Sequence, residues 1–396
     1  MNILISSLVD LKNSAHNSRL HQFVRNLSNK NEITIISIND HWKKQWDKKY
    51  TEYREDFSDL FDKIEISYLT DKDISPVIQD IFAFKKRDIM DIINSHNFDV
   101  HFCYNGLFSG YKIAKLSKSN NIPTVYDIAD DLPEMINTSP QIPRILRPIG
   151  KVFGKKVMNN LVDISDKVTL TTQSIADTYS IPQNKVVIIP NGVDINLFRE
   201  YPSWDMKMKL GLSGNFIVGY VGVLREWIEL EPLMAAIEQL SKKISIKLLI
   251  VGSGADYQKT VSIAAKYDIA KNVLFTGTIP YSLVPKYISC MDVGTIPFKG
   301  NDVAQNSLPL KLFEYMACNK PVISTDILAI HQQFPENVLF ASSISDYVAQ
   351  ITRLVDNEDL RKELGLAGRR IVEDNYQWSR ITSQLEKGLQ SAGGYS

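Results

Sequence analysis

Short apolar runs rich in Val, Ile and Leu alternate with segments of helical period along almost the whole chain, and that alternation leaves few folds open. It is the pattern of parallel sheets whose strands are joined by crossover helices. In the first half, residues 2–6, 33–38, 100–104, 124–128, 167–171 and 186–189 read as strands, with helices over 18–28, 81–96 and 109–119. After Phe198 a second series begins, with strands over 217–221, 247–251, 273–276, 293–296 and 321–324 and helices over 230–242, 257–267, 283–290 and 310–317. The charged stretch 41–62 fits neither period, and 359–389 reads as helical. Two successive series predict an α/β protein of two Rossmann-like doubly wound domains facing a central cleft, where ligands bind beyond the carboxyl ends of the strands. The expected division is an N-terminal domain over 1–196 and a C-terminal one over 197–375. Residues 376–396 form a C-terminal helix returning to the first domain, with a frayed tail.

Composition narrows the function classes. Of 396 residues, 44% are hydrophobic and 23% charged, enough apolar material for two cores. Forty-five basic side chains balance forty-five acidic ones, so no global field draws nucleic acid, and none is expected as a partner. Cys103, Cys290 and Cys318 are far apart, odd in number and set among apolar or small residues. They read as buried thiols in a reducing compartment. The start, Met1-Asn2-Ile3-Leu4-Ile5, lacks the charged flank and apolar length of a signal peptide, and no run reaches the roughly 18 apolar residues that span a bilayer. The expectation is a cytoplasmic protein, at most peripheral on the inner face of the cell membrane.

Candidate chemistry concentrates in the second half. Gly219-Tyr220-Val221-Gly222 and Leu248-Leu249-Ile250-Val251-Gly252-Ser253-Gly254 each end a strand with glycines, which let backbone approach a ligand closely. Two such turns in adjacent units favour an anion, through backbone N–H groups and helix N-termini. Neither matches the full dinucleotide pattern with an acid about 20 residues later. Further along, Asn306-Ser307-Leu308-Pro309-Leu310-Lys311-Leu312-Phe313-Glu314-Tyr315 passes from polar loop to helix. Lys311 and Glu314, three apart, share a helical face, where a lysine can hold a phosphate and a carboxylate two ribose hydroxyls. A surface ion pair is the plainer alternative.

Val186-Val187-Ile188-Ile189-Pro190-Asn191-Gly192-Val193-Asp194-Ile195-Asn196-Leu197-Phe198 resembles the interdomain segment of the GT4 family (glycosyltransferase group 1), retaining enzymes with the GT-B fold. The VGSG segment, Phe275-Thr276-Gly277, Val293–Ile296 with Pro297, and the run from Leu308 to Val322 follow in that family's order. The resemblance implies a hexosyltransferase that moves a sugar from a nucleotide-sugar donor to a hydroxyl acceptor (a lipid-linked sugar, a polysaccharide or a glycan precursor) with retention. It implies no cofactor and no catalytic metal. Donor contacts fall on Gly222, Arg225, Gly252, Asn306, Leu308, Lys311, Leu312 and Glu314. Glu314 takes the family's ribose position, while Asn306 stands where a first glutamate is usual and brings an amide in place of a carboxylate. Arg225 and Lys311 together would neutralise the leaving diphosphate; an Arg225 paired with Glu226 or Glu229 is the structural alternative. Where the family often has a histidine, this chain has Ala129-Asp130 in the loop 126–135. Asp127 or Asp130 is therefore the candidate that orients or deprotonates the acceptor hydroxyl. Asn17 and Arg19, after the first strand, are acceptor-side or phosphate candidates; the glycine pair common there is missing.

Between 142 and 162 stand Arg144, Arg147, Lys151, Lys155 and Lys156 with no acid, and Ile145, Ile149, Val152, Phe153 and Val157 make an apolar stripe near helical spacing. The segment reads equally as a basic amphipathic helix on an anionic membrane and as a helix packed on its domain with the basic side solvated. Two other classes remain open beside the transferase: an inactive GT-B-like sugar-nucleotide-binding protein, and a GT-B epimerase.

Overall fold

The computed structural model describes residues 1–12, 19–40, 58–138, 142–300 and 302–394. They form two compact units, Met1–Pro190 with Trp378–Ser396, and Asn191–Gln377. Asn17 and most of the charged stretch 41–62 lie outside the described residues.

The first unit holds a parallel sheet of β1 (Asn2–Ser7), β2 (Glu32–Ser37), β3 (Glu65–Tyr68), β4 (Val100–Tyr104), β5 (Thr124–Ile128), β6 (Lys167–Leu170) and β7 (Val186–Ile188), ordered β3-β2-β1-β4-β5-β6-β7. Every residue of β4 and β5 is buried, as expected when helices cover both faces. Alternation decides which face each side chain meets. Phe102 packs edge-on against Phe23, which in turn meets Trp378 at 5.9 Å between ring centroids. Its neighbour Cys103 turns the other way, into a cluster with Ala114, Met158 and Leu161. Helices Arg19–Leu27 and Trp378–Ala392 thus cover one face, and Phe108–Ser119 and Arg147–Ile164 the other.

The second unit repeats the plan with β8 (Phe216–Val221), β9 (Ile246–Val251), β10 (Val273–Gly277), β11 (Val293–Ile296), β12 (Val322–Ser324) and β13 (Val338–Phe340), all parallel in the order β10-β9-β8-β11-β12-β13. Each sheet reverses its winding direction once, between β1 and β4 and between β8 and β11.

Three readings of the sequence change. The helix expected over 81–96 is two, Pro76–Phe82 and Lys86–Ser95, and Asp80 of the first accepts the Ser109 N–H at 2.8 Å, capping the helix that starts at Phe108. The helical stretch 359–389 breaks at Tyr376-Gln377 into Glu358–Asn375 and Trp378–Ala392. Strands β3 and β13 were not anticipated. All three cysteines are buried free thiols.

Candidate functional site

In a doubly wound sheet the crevice opens where the winding reverses, beyond the carboxyl ends of the central strands. In the second unit that point is Gly222, which follows β8. Gly222 has φ +137° and Gly252, after β9, φ +131°. Their backbones lie against each other so closely that a Cβ on Gly252 would sit 2.1 Å from the Gly222 carbonyl oxygen. Both N–H groups are spent inside the protein: Gly222 donates to Val251 O at 2.9 Å and Gly252 to Gly277 O at 3.0 Å. The glycines therefore allow close packing of two loops, and the expected role for their N–H groups as anion donors is corrected.

What the notch at Gly222 admits is Lys311. A Cβ on Gly222 would meet Lys311 Nζ at 2.7 Å. The ammonium lies 4.1 Å from the Tyr220 ring centroid and 5.5 Å from that of Phe298, so two aromatic faces hold it by cation–π attraction. It makes no ion pair among the described residues. Burial drives its pKa from 10.5 down to about 7, with Glu314 acting the other way. The plainer reading, a surface pair of Lys311 with Glu314, gives way to a half-buried cation held against two aromatic rings. Glu314 is itself 6% exposed and accepts the Tyr281 hydroxyl at 2.8 Å.

Arg225, three residues past Gly222, is half-buried with its guanidinium 5.2 Å from the Trp227 ring. Pairing with Glu226 or Glu229 is not made among the described residues. The loop is pinned by Glu229 N–H to Pro297 O at 2.7 Å and Lys299 N–H to Trp227 O at 2.9 Å. Asn306 is buried, and Leu308 gives its carbonyl to the Asn191 amide at 2.8 Å, which ties the Pro190-Asn191-Gly192 motif to the loop before helix Leu310–Ala317. Leu312 has a fully buried side chain and an N–H bonded to Pro309 O.

The first unit treats its charged residues differently. Asp127, at the end of β5, is 0% exposed. Its Oδ1 takes Arg19 Nη2 at 3.1 Å and the Thr169 hydroxyl at 2.5 Å. Arg19 also donates to Pro190 O at 2.7 Å and stacks 4.6 Å over Phe23. Neither group faces solvent: the structure brings these two candidates together as a buried ion pair. Asp130 is exposed, held by Asn105 Nδ2 at 3.0 Å. Asn105, at φ +46°, also accepts the Ala129 and Asp130 N–H groups on its Oδ1, which sets the loop. Asp131 is buried as the cap of helix Leu132–Thr138, accepting Glu134 N–H at 3.1 Å and the Tyr179 hydroxyl, and burial raises its pKa. Of the four carboxylates in the loop, Asp127 and Asp131 are buried, Glu134 is mostly covered and paired with Lys151, and Asp130 is the exposed one.

Residues 203–371 match the family model for glycosyl transferases group 1. The whole chain superposes on sucrose-phosphate synthase from Thermosynechococcus elongatus with a TM-score of 0.76 at 17% identity, covering 100% of both chains. It superposes on the Anabaena protein HepE in complex with UDP with a TM-score of 0.74 at 16% identity, covering 99% of this chain and 100% of that one. The fold is therefore α/β with two Rossmann-like units, as in GT-B glycosyltransferases. An uncharacterized glycosyltransferase of Methanocaldococcus jannaschii is 22% identical over 249 residues, 61% of this chain and 60% of that protein. The chain thus spans about three-fifths of the length of the curated relatives it first matches. Tyr220, Phe298, Tyr281 and Asn105 went unnoticed in the sequence; an Asn directly after a buried strand was the one local signal among them.

Proposed function

We propose that this protein is a glycosyltransferase that takes a hexosyl group from a nucleoside-diphosphate-sugar and passes it, with retention, to a hydroxyl of a glycan or lipid-linked acceptor. The observation that carries the reading is the Lys311 ammonium, without an ion pair among the described residues and seated in the Gly222 notch at the winding reversal of the second sheet. In the reaction the anomeric carbon–oxygen bond to the diphosphate breaks and a bond to the acceptor oxygen forms. Negative charge grows on the departing diphosphate, and Lys311 with Arg225 would stabilise it where water is partly excluded. Glu314, oriented by Tyr281, would accept the ribose hydroxyls, and the Asn306 amide a sugar hydroxyl. Asp130, the accessible carboxylate of its loop, would orient the acceptor hydroxyl. Two fixed cations take the place that a divalent metal fills elsewhere, so turnover should survive EDTA. The work would be done in the cytoplasm, without a cofactor.

The experiment is a panel of UDP-, GDP- and ADP-sugars, scored for nucleotide binding by calorimetry and for release of nucleoside diphosphate, with the anomeric configuration of the product read by NMR. Binding and release with one base are expected, and Asp130→Ala should lower turnover about a hundredfold or more. Binding without release would overturn catalysis; no binding of any nucleotide would overturn the site.

A further inference from the structure

The helix Arg147–Ile164 presents two faces, and of the apolar stripe legible in the sequence only Val157 meets the core. Gly154, Val157, Met158 and Leu161, spaced i, i+3, i+4, i+7, are buried in the first unit. Gly150 and Gly154 let helix Leu132–Thr138 lie flush, since a Cβ at either would press on Ile136. On the outer side Ile149, Val152, Phe153 and Lys156 repeat the same spacing. Ile149 is 55% exposed, Val152 69% and Phe153 55%, and the preceding turn adds Ile145 at 83% and Leu146 at 50%. A solvated helix face normally carries polar residues there; a contiguous apolar row on the surface marks an interaction site.

The charges around the row indicate what it meets. Arg144, Lys155 and Lys156 are exposed beside it, and no acid occurs from 142 to 162. Of the two helices packed alongside, Phe108–Ser119 contributes exposed Lys115 and Lys118 and has no acid, while Leu132–Thr138 brings Glu134, which pairs with Lys151. An aliphatic and aromatic strip flanked by cations matches the interface of an anionic bilayer, where apolar side chains enter the acyl boundary and lysines meet headgroup phosphates. A protein partner would need carboxylates placed one by one against these cations, whereas a bilayer supplies a continuous negative plane. We propose that this face of the first unit docks on an anionic lipid surface, with Ile145, Ile149, Val152 and Phe153 entering it and Arg144 and Lys156 holding it electrostatically. The proposal does not depend on the transferase reading, and it concerns residues outside the candidate donor site.

Flotation of the full chain with phosphatidylcholine vesicles, with and without phosphatidylglycerol, tests it. Binding is expected to the anionic vesicles and to weaken as salt rises. Val152→Asp with Phe153→Asp should abolish it, and Arg144→Gln or Lys156→Gln should each weaken partitioning about fivefold, the value of one basic residue near such a surface. All four side chains are exposed, and unchanged thermal unfolding would certify that the variants fold. Absence of flotation, flotation untouched by the double variant, or equal binding to neutral and anionic vesicles would overturn the proposal. So would a concentration-dependent dimer that dissociates in the double variant, which would give the row to a second copy of the chain.

Discussion

The two units are built on the same plan, yet a buried cation of the first, Arg19, and a half-buried one of the second, Lys311, are held in opposite ways. Arg19 is held inside the first unit by a carboxylate, a backbone carbonyl and an aromatic face. Lys311 is held by two aromatic rings and a glycine notch, with no carboxylate bridged to it among the described residues. A cation whose partners are all internal contributes to the fold, because removing one partner strands the other. A desolvated cation left without a counter-ion weakens the fold, and it is retained where a ligand supplies the missing charge. The contrast separates structure from function more sharply than position in the sheet does.

Asp127→Ala is the most severe way to break this contrast. It removes the carboxylate bridged to the buried Arg19 guanidinium and should cost about 3–5 kcal/mol of unfolding free energy by urea titration. A double replacement of the pair by apolar residues should recover most of that loss. In the second unit the outcome inverts. Lys311→Met should leave stability unchanged or raise it, while calorimetry shows the affinity for a nucleoside diphosphate falling by about ten- to a hundredfold, the worth of a charge-assisted contact. Titration sharpens the same point. With its pKa lowered from 10.5 to about 7, Lys311 is charged below pH 7 and loses its proton above it in the free protein. A bound diphosphate restores the proton, so affinity should fall as pH rises above 7, by up to about tenfold per unit, and this slope should vanish in Lys311→Met. The stability effect has the opposite sign: the unfolded chain holds that proton up to 10.5, so the folded state gains as pH climbs from 7 towards 10.5. The smallest effect belongs to Arg225→Ala. Half-buried and stacked on Trp227, it should weaken nucleotide binding about tenfold with little change in stability.

Strands buried on both faces were legible because their sequences are continuous apolar runs, as in Ile246–Val251. The two that escaped, Glu65–Tyr68 and Val338–Phe340, are edge strands, one half-polar and the other three residues long. Lys311 and Glu314 stood out as charges in an otherwise apolar helix. Their companions did not: Tyr220, Phe298 and Tyr281 look like core aromatics until the fold gathers them around a charge. The Arg19–Asp127 pair joins residues 108 positions apart, and no local pattern announces such a contact. His101 is similar. It sits within a strand, fully buried between Ser6 and Thr124, and burial lowers its pKa to about 3, so it is a neutral hydrogen-bonding core residue.

Helix Trp378–Ala392 belongs to the unit that begins at Met1, so the second unit is an insertion within the first. Its Trp378 covers Phe23, and its Glu386 accepts the Asn31 amide at 2.8 Å. During synthesis the order of completion therefore runs against the order of translation. Asn191–Gln377 is continuous and can close its own core as soon as it emerges, while the earlier-made unit waits with one side of its sheet uncovered until Trp378 and the residues after it arrive. A ribosome stalled before that helix would hold a finished inner unit and an unfinished outer one, with Phe23 and its neighbours open to chaperones.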